Sequence, residues 1–143
     1  MLISLIEEHY GRHDIAGEIA EFSKNRWVAV EGCVEDRRVF IRCFRDQPLR
    51  IENGKDVVDC LKRYRRLNAR SFYASINVYK SLHNREALDE PGNIVFTTPF
   101  FDIDGSLENW RIILDAAMVI VDFLEEKGVS KSVYLLWSGE GFT

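Results

Sequence analysis

Residue types that mark several specialised protein classes are scarce in this chain of 143 residues. Its cysteines, Cys33, Cys43 and Cys60, are odd in number and form no C-x-x-C pair, which argues against a disulfide framework and a zinc ribbon. We predict that they are buried thiols and that the chain has no zinc site. The three histidines lack the spacing of metal ligands, and there is no internal repeat or low-complexity tract. A single domain over residues 1–143 is therefore predicted.

Long apolar runs and a positive charge excess are also missing. The apolar start, Met1 to Ile6, is short and is followed at once by Glu7 and Glu8, whereas a signal peptide needs a basic start and a longer apolar core. We predict a cytoplasmic protein without membrane association. The net charge is -4, so any contact with nucleic acid must come from a local basic patch.

Helical and extended patterns alternate along residues 1–92, which we predict to be an N-terminal α/β portion. The helical segments space their apolar residues three and four positions apart, and the strands are β-branched runs or strict alternations. Pro48 ends the predicted hairpin, and Asn53-Gly54 precedes the second helix. The predicted elements are a helix at Asp14–Lys24, a hairpin of Arg26–Gly32 and Arg38–Phe44, a helix at Asp56–Leu67 and a strand at Ser71–Tyr79.

Residues 93–143 have the pattern of a strand-helix-strand unit. We predict a strand at Asn93–Asp104, a helix at Ser106–Lys127 that Gly128 ends, and a strand at Lys131–Trp137. The ends of the two strands are expected to meet at one edge of a sheet. The helix face expected to pack on this sheet consists of Ile112, Ile113, Ala116, Val119, Ile120, Phe123 and Leu124.

Two carboxylates stand at the end of the first of these strands. Asp102 and Asp104 are two positions apart, so on a strand both side chains point to the same face. Neighbouring carboxylates repel each other unless a cation lies between them, which favours Mg²⁺ or Mn²⁺ as the ligand. The alternative is that one of the two aspartates caps the following helix.

A glycine-rich segment, Ser138-Gly139-Glu140-Gly141, follows the second strand. Its glycines let backbone N–H groups turn toward an anion, and Ser138 adds a hydroxyl, so the segment is a candidate phosphate seat. The alternative is an ordinary glycine turn.

These two motifs resemble those of the archaeo-eukaryotic primase superfamily, namely an apolar strand ending in D-x-D and a later S-G-x-G-x-H. The segment from Arg70 to Tyr79 also looks like the strand before the first motif in primase small subunits and primase-polymerases. The resemblance spans residues 26–143, though few positions are motif residues. It implies the following site residues: metal-binding and catalytic Asp102 and Asp104, and nucleotide-binding Ser138, Gly139 and Gly141.

The resemblance also implies a fold and an activity. The fold is an α/β (α+β) primase-type catalytic domain with a mixed sheet, the N-terminal α/β portion and an incomplete RRM-like half. The activity is template-directed nucleotidyl transfer for primer synthesis by a two-metal mechanism with Mg²⁺ or Mn²⁺. The implied partners are a nucleoside triphosphate, a DNA template and a large primase subunit.

The sequence departs from the family pattern at three places. Thr143 stands where the motif histidine is expected, and no sequence follows in which the third metal-binding aspartate could occur. The residues between Asp104 and Ser138 contain no cysteine or histidine, so the zinc insert of replicative small subunits is missing. The spacing is similar to that of a compact primase-polymerase or ligase-associated polymerase domain. We expect an incomplete domain that is inactive alone and binds metal or nucleotide weakly.

Two other functions fit the same residues. The stretch from Asp102 to Ser106 looks like the D-x-D-G-[ST] signature of haloacid-dehalogenase-type phosphatases, with Asp102 as nucleophile, Asp104 as general acid and Ser138-Gly139 as the phosphate motif. That family places its signature near the N-terminus on a parallel sheet, which argues against it. The other alternative is a degenerate, non-catalytic nucleotide- or partner-binding module.

One basic window is the candidate contact for nucleic acid. It lies at the end of a predicted helix and could bind template or primer phosphates without sequence preference. The alternative is a solvated helix end, since cations favour a helix C-terminus. The residues are Lys62, Arg63, Arg65, Arg66 and Arg70.

Overall fold

Helices and antiparallel strands alternate along the chain, and the computed structural model describes them for residues 2–136 and 141–142. The α/β class is confirmed. Every strand pairing among the described residues is antiparallel, so the predicted mixed sheet is wrong. The chain divides into two compact units, Met1–Thr98 and Pro99–Thr143. This boundary lies beyond the predicted division at residue 92, because strand Ile94–Thr97 pairs with Asn77–Tyr79 of the first unit.

The described residues contain four α-helices and nine short strands. The helices are α1 Leu2–Gly11, α2 His13–Ser23, α3 Gly54–Arg63 and α4 Trp110–Glu126. The strands are β1 Val28–Val34, β2 Arg37–Ile41, β3 Cys43–Phe44, β4 Gln47–Pro48, β5 Ser71–Ala74, β6 Asn77–Tyr79, β7 Ile94–Thr97, β8 Ile103–Asp104 and β9 Gly141–Phe142. None of the described helices is both long and apolar enough to cross a membrane.

The main sheet of the first unit has the order β2-β1-β5. In its middle strand, Val30 lies opposite Ile41 of β2 and Phe72 of β5. The predicted hairpin is confirmed. Its two turn residues, Glu35 and Asp36, both have a positive φ, +49° and +60°, as in a type I′ turn, whose twist matches that of the flanking strands.

One face of this sheet forms the core of the first unit together with α2 and α3. Val28, Val30 and Val57 are almost fully buried there, which stabilises the unit by about 1.5–3 kcal/mol per side chain. The buried residues around them are Ala16, Ala20, Leu49, Ile51, Cys60, Leu61 and Ala69. The two predicted helices of this unit therefore bury their apolar faces on the sheet.

Helix α3 begins with a capping box. The Asn53 side chain accepts a hydrogen bond from the backbone N–H of the helix's second residue, and the Asp56 carboxylate accepts one from the Asn53 N–H at 3.1 Å. On the inner side of the helix, Cys60 is buried, and this burial raises the pKa of its thiol. Cys33 and Cys43 are half-buried, so the prediction of three buried thiols is confirmed only for Cys60.

The predicted strand Ser71–Tyr79 is wrong as a single element, because a break at Ser75 and Ile76 divides it into β5 and β6. The carbonyl oxygens of these two residues accept hydrogen bonds from Nη1 of Arg26 at 2.8 and 2.9 Å. Nη2 of Arg26 donates to Oγ1 of Thr98 at 2.8 Å. Arg26 is 7% exposed, and burial lowers the pKa of its guanidinium. Past the break the chain changes partner: β5 pairs with β1, and β6 with β7.

The second unit contains α4 and the short pair β8 and β9. The predicted strand Asn93–Asp104 is interrupted between Thr97 and Ile103, because Pro99 has no N–H group with which to continue a ladder. Residues 131–136 of the predicted second strand form no strand, and Trp137 lies outside the described residues. The predicted strand-helix-strand unit is thus corrected to an antiparallel pair of two-residue strands beside one helix.

The predicted helix of this unit is confirmed as α4, preceded by a 3₁₀ turn at Leu107–Asn109. Gly128 ends it, as predicted, with φ +81°. Its N–H donates to the Glu125 carbonyl at 2.8 Å, and the Val129 N–H donates to the Leu124 carbonyl at 2.9 Å. These two bonds form the Schellman arrangement that favours glycine after a helix.

The predicted core face of α4 is only partly buried. Ile113 is buried, but Ile112, Val119 and Phe123 are 69%, 67% and 56% exposed. The two-residue strands β8 and β9 are too short to cover the whole apolar stripe of a helix of this length. The expectation that the full stripe packs on a sheet is therefore wrong for the described residues.

Candidate functional site

The two aspartates of the predicted metal site occupy different local structures. Asp104 is the second residue of β8, whereas Asp102 lies before the strand begins. Both side chains are exposed. The prediction that both lie on a single strand is therefore wrong for Asp102, because β8 starts only at Ile103. The carboxylates remain two positions apart at one end of the second unit.

Gly141, the last residue of the glycine-rich segment, pairs with one of these aspartates. Gly141 of β9 lies directly opposite Asp104 of β8, and the two strands pair antiparallel. Cα atoms of residues paired in this way are about 4.5–5.5 Å apart. Ser138 and Gly139, the other predicted nucleotide-binding residues, lie outside the described residues. Asp104 and Gly141 are thus neighbours in an antiparallel pair of short strands, and the expectation that the two whole motifs meet at one sheet edge stays a prediction.

Carboxylate oxygens are the ligands that Mg²⁺ prefers, and Mg²⁺ usually binds through one or two carboxylates while phosphate oxygens and water complete its shell. Asp102 and Asp104 match that donor type and number. Among residues 2–136 and 141–142 there is no group of three or more His, Cys, Asp or Glu side chains that could hold a metal ion. A nucleoside triphosphate could supply the further oxygen ligands of a cation at this place.

The residues of the basic window differ in their contacts. Arg63 places its guanidinium 4.6 Å from the ring centroid of Phe44, and Nε of Arg65 lies 3.3 Å from the Glu7 carboxylate. The Arg70 side chain instead contacts Glu31 of the main sheet. Lys62 and Arg66 are exposed, at the end of α3 and in the 3₁₀ turn that follows it. The five residues predicted to contact nucleic acid thus have different neighbours: an aromatic ring, a carboxylate, the main sheet or solvent.

Arg70 belongs to a hydrogen-bond network around the buried Glu31 side chain that the sequence did not predict. Its Nε and Nη2 donate to Oε1 of Glu31 at 3.1 and 2.7 Å, and the Tyr73 hydroxyl donates to Oε2 at 2.7 Å. Nε of Arg38 lies 3.4 Å from Oε1. These hydrogen bonds, first from Tyr73 and then from Arg70, hold the pKa of Glu31 below its ordinary value despite burial. The sequence does contain a signal for this network, namely a single glutamate in the otherwise apolar run Val28–Val34.

A cavity of about 390 Å³ also opens in the first unit, beside the end of α2. Three cations line it, but each already has a protein partner. Lys24 lies 2.5 Å from Glu21, Arg50 lies 3.9 Å from Glu52, and Lys80 donates to a backbone carbonyl at 2.7 Å. The cavity therefore gives no evidence for a particular ligand.

No family model, curated protein or solved structure matches the chain. Function must therefore be inferred from the residues and their geometry. The antiparallel pairing of β8 with β9 differs from the parallel sheet of the phosphatase family, so no structural observation favours the alternative with Asp102 as nucleophile.

Proposed function

We propose that the chain is a primase-type nucleotide-binding domain in which Asp102 and Asp104 bind Mg²⁺ or Mn²⁺ together with a nucleoside triphosphate. The observation that supports the proposal is the opposition of Asp104 and Gly141 in the β8–β9 pair. It brings one residue of the carboxylate motif and one residue of the glycine-rich motif together, although α4 separates them in sequence. A metal ligand and a candidate phosphate seat side by side are what binding of a metal–triphosphate complex requires.

The proposed role of each group follows from its chemistry. The carboxylates of Asp102 and Asp104 contribute two hard oxygen ligands, and the triphosphate contributes others, so metal and nucleotide should bind cooperatively. Gly139 and Gly141 allow the backbone to approach the phosphates, and Ser138 offers a hydroxyl. When bound, the ion would neutralise the triphosphate and polarise its phosphorus–oxygen bonds.

The activity implied by the resemblance, template-directed nucleotidyl transfer, needs more groups than these. The motif histidine is replaced by Thr143, and two carboxylates do not by themselves hold two ions. A DNA template and a large primase subunit belong to the same implied activity. For the chain itself we therefore propose binding of the metal–nucleotide complex and no transfer without further components.

The test is a calorimetric titration of the purified chain with Mn²⁺ alone, with a nucleoside triphosphate alone and with both. We expect binding of the pair to be at least about tenfold tighter than binding of either alone, equivalent to about 1.4 kcal/mol of coupling. Asp102→Asn and Asp104→Asn should each remove this coupling, because the amide cannot replace the carboxylate charge.

Asp122→Asn is the matched control, since Asp122 is an exposed aspartate of α4 in the same unit. It should bind the metal–nucleotide pair as the unchanged chain does. Equal binding by the Asp104 and Asp122 variants would overturn the proposed site. Absence of binding in every protein would reject nucleotide binding and leave the partner-binding module as the alternative.

A further inference from the structure

A second feature of the first unit lies on the face of the β2-β1-β5 sheet that is turned away from the helical core. Phe40 of β2 and Tyr73 of β5 are 43% and 46% exposed on this face. Their ring centroids are 5.5 Å apart, and the ring planes meet at 65°. Aromatic side chains of this size are normally buried, so an exposed pair in mutual contact is a candidate recognition surface.

The sheet register explains how two rings on different strands meet. Phe40 lies opposite Glu31 of the central strand, and Tyr73 lies opposite Ala29. Residues paired across strands point to the same face, so all four side chains belong to the outer face. Because Phe40 and Tyr73 lie on the two flanking strands and their rings are in contact, the rings meet across β1, whose paired residues on this face are Glu31 and Ala29.

A hydrogen bond to the central strand fixes the position of Tyr73. Its hydroxyl donates to Oε2 of Glu31 at 2.7 Å, and Arg70 occupies the other oxygen of the same carboxylate. Glu31 is thereby neutralised, with its side chain only 2% exposed. A ring that is already fixed loses little rotamer freedom when a ligand stacks on it, which favours binding.

The charges at the edge of the aromatic pair are positive. The Arg42 guanidinium lies 5.8 Å from the Phe40 ring centroid, and the Arg38 side chain is 70% exposed. The carboxylate paired with Phe40, Glu31, is only 2% exposed and is bound by Arg70, while Nε of Arg38 lies 3.4 Å from the same oxygen. Two cations thus share one buried carboxylate, and the face combines π surfaces with a local excess of positive charge, although the chain as a whole is acidic.

We propose that this outer face, defined by Phe40, Tyr73, Arg38 and Arg42, binds single-stranded nucleic acid. Unpaired bases would stack on the two rings, and the phosphates would lie beside the two guanidinium groups. A duplex keeps its bases stacked within itself and cannot use the rings. The surface uses no residue of the proposed metal–nucleotide site, so it can be tested separately.

The experiment measures fluorescence anisotropy of labelled oligothymidylate and oligouridylate of about 12 nucleotides, within the range of single-strand sites on small β domains. Phe40→Leu should weaken binding about tenfold, because stacking on a ring is lost. Arg42→Gln should lower the slope of log affinity against log salt by about 0.7, the value for one phosphate contact with a single strand. A preference between the two oligomers identifies DNA or RNA as the ligand.

Phe44→Leu is the matched control. Phe44 is also 42% exposed and has an arginine over its ring, Arg63 at 4.6 Å, but it lies on β3 outside the sheet. The Phe44→Leu variant should bind both oligomers with the affinity of the unchanged chain. Thermal unfolding should show that the Phe40→Leu and Phe44→Leu variants are both folded. Equal loss in both leucine variants, or equal affinity for a duplex of the same length, would overturn the proposal.

Discussion

Nη2 of Arg70 lies 2.7 Å from Oε1 of Glu31, in the middle strand of the main sheet. This pair places a carboxylate with 2% exposure inside a strand that is otherwise apolar. An ionised side chain is tolerated there only when hydrogen bonds replace its lost hydration. Arg70 and Tyr73 supply those bonds from residues far away in sequence.

The first prediction concerns the acid sensitivity of this network. The folded-state pKa of Glu31 is lowered from an ordinary value of 4.5, so the folded state binds its proton less readily than the unfolded state. The stability that Glu31 contributes is present above about pH 4.5 and is lost as the pH falls through the lowered pKa. Urea unfolding at several pH values should show a smaller acid loss for Glu31→Gln than for the unchanged chain.

Glu31→Gln should also lower the free energy of unfolding near neutral pH by about 2 kcal/mol, since charged hydrogen bonds are replaced in a buried position. Glu18→Gln, which changes an exposed glutamate of α2, is the control and should retain the acid sensitivity of the unchanged chain. An identical pH dependence in the two glutamine variants would show that Glu31 is not stabilised as described.

The second prediction concerns the buried guanidinium of Arg26. Arg26→Met keeps much of the side-chain volume but removes the donor to the Ser75 carbonyl and one of two donors to the Ile76 carbonyl, which also accepts from the Thr98 N–H at 2.8 Å. We expect the free energy of unfolding to fall by about 2 kcal/mol, because the hydrogen bonds of a largely buried guanidinium are lost. Denaturant unfolding measures this change. Arg50→Met, at a side chain with 48% exposure, should cost less than about 0.5 kcal/mol.

The third prediction compares two glycines. A Cβ added at Gly32 of β1 would lie 2.2 Å from the backbone carbonyl oxygen of Leu67, whereas one added at Gly17 of α2 would have no atom within 4 Å. Gly32→Ala should destabilise the fold by about 2 kcal/mol or more, because backbone has to move. Gly17→Ala should stabilise it by about 0.5–1 kcal/mol, as alanine is favoured within a helix. The midpoint of thermal unfolding should fall for Gly32→Ala and rise for Gly17→Ala. Equal shifts in the two variants would contradict the close approach of Gly32 to the Leu67 carbonyl.

The fourth prediction concerns the capping box of α3. Asn53→Ala removes the acceptor of the N-terminal hydrogen bond and should cost about 1 kcal/mol of unfolding free energy. Asp56→Ala should cost a similar amount, because the Asp56 carboxylate accepts from two backbone N–H groups. In urea unfolding, the double variant should lose less unfolding free energy than the two single variants together, since both bonds stabilise the same turn. Strict additivity would contradict a shared cap.

Local patterns were sufficient for part of the fold. The spacing of apolar residues predicted α2, α3 and α4, and the two β-branched runs predicted the β1–β2 hairpin, because these signals lie within one element or between neighbours. Helix α1 was not predicted from its short apolar start. Pro99 was a local signal for the interruption before Ile103, but the apolar run on both sides outweighed it.

Other features depend on partners distant in sequence. The alternation from Ser71 to Tyr79 continues through the break, where the Ser75 carbonyl accepts from the guanidinium of Arg26, 49 residues earlier. Glu31 finds Arg70 at a separation of 39 residues. At the candidate site, the sequence predicted a turn at Gly141, whereas the structure pairs Gly141 with Asp104 in an antiparallel strand, a contact between residues that α4 separates in sequence.

Arg26 also has a consequence for the order of folding events. Its three side-chain bonds join residues separated by 49, 50 and 72 positions, so they close long loops and can form only after the chain has largely collapsed. Contacts absent from the transition state change the rate of unfolding and leave the rate of folding almost unchanged. We therefore expect the Arg26 bonds to form late in folding. Removing them should raise the rate of unfolding and leave the rate of folding unchanged.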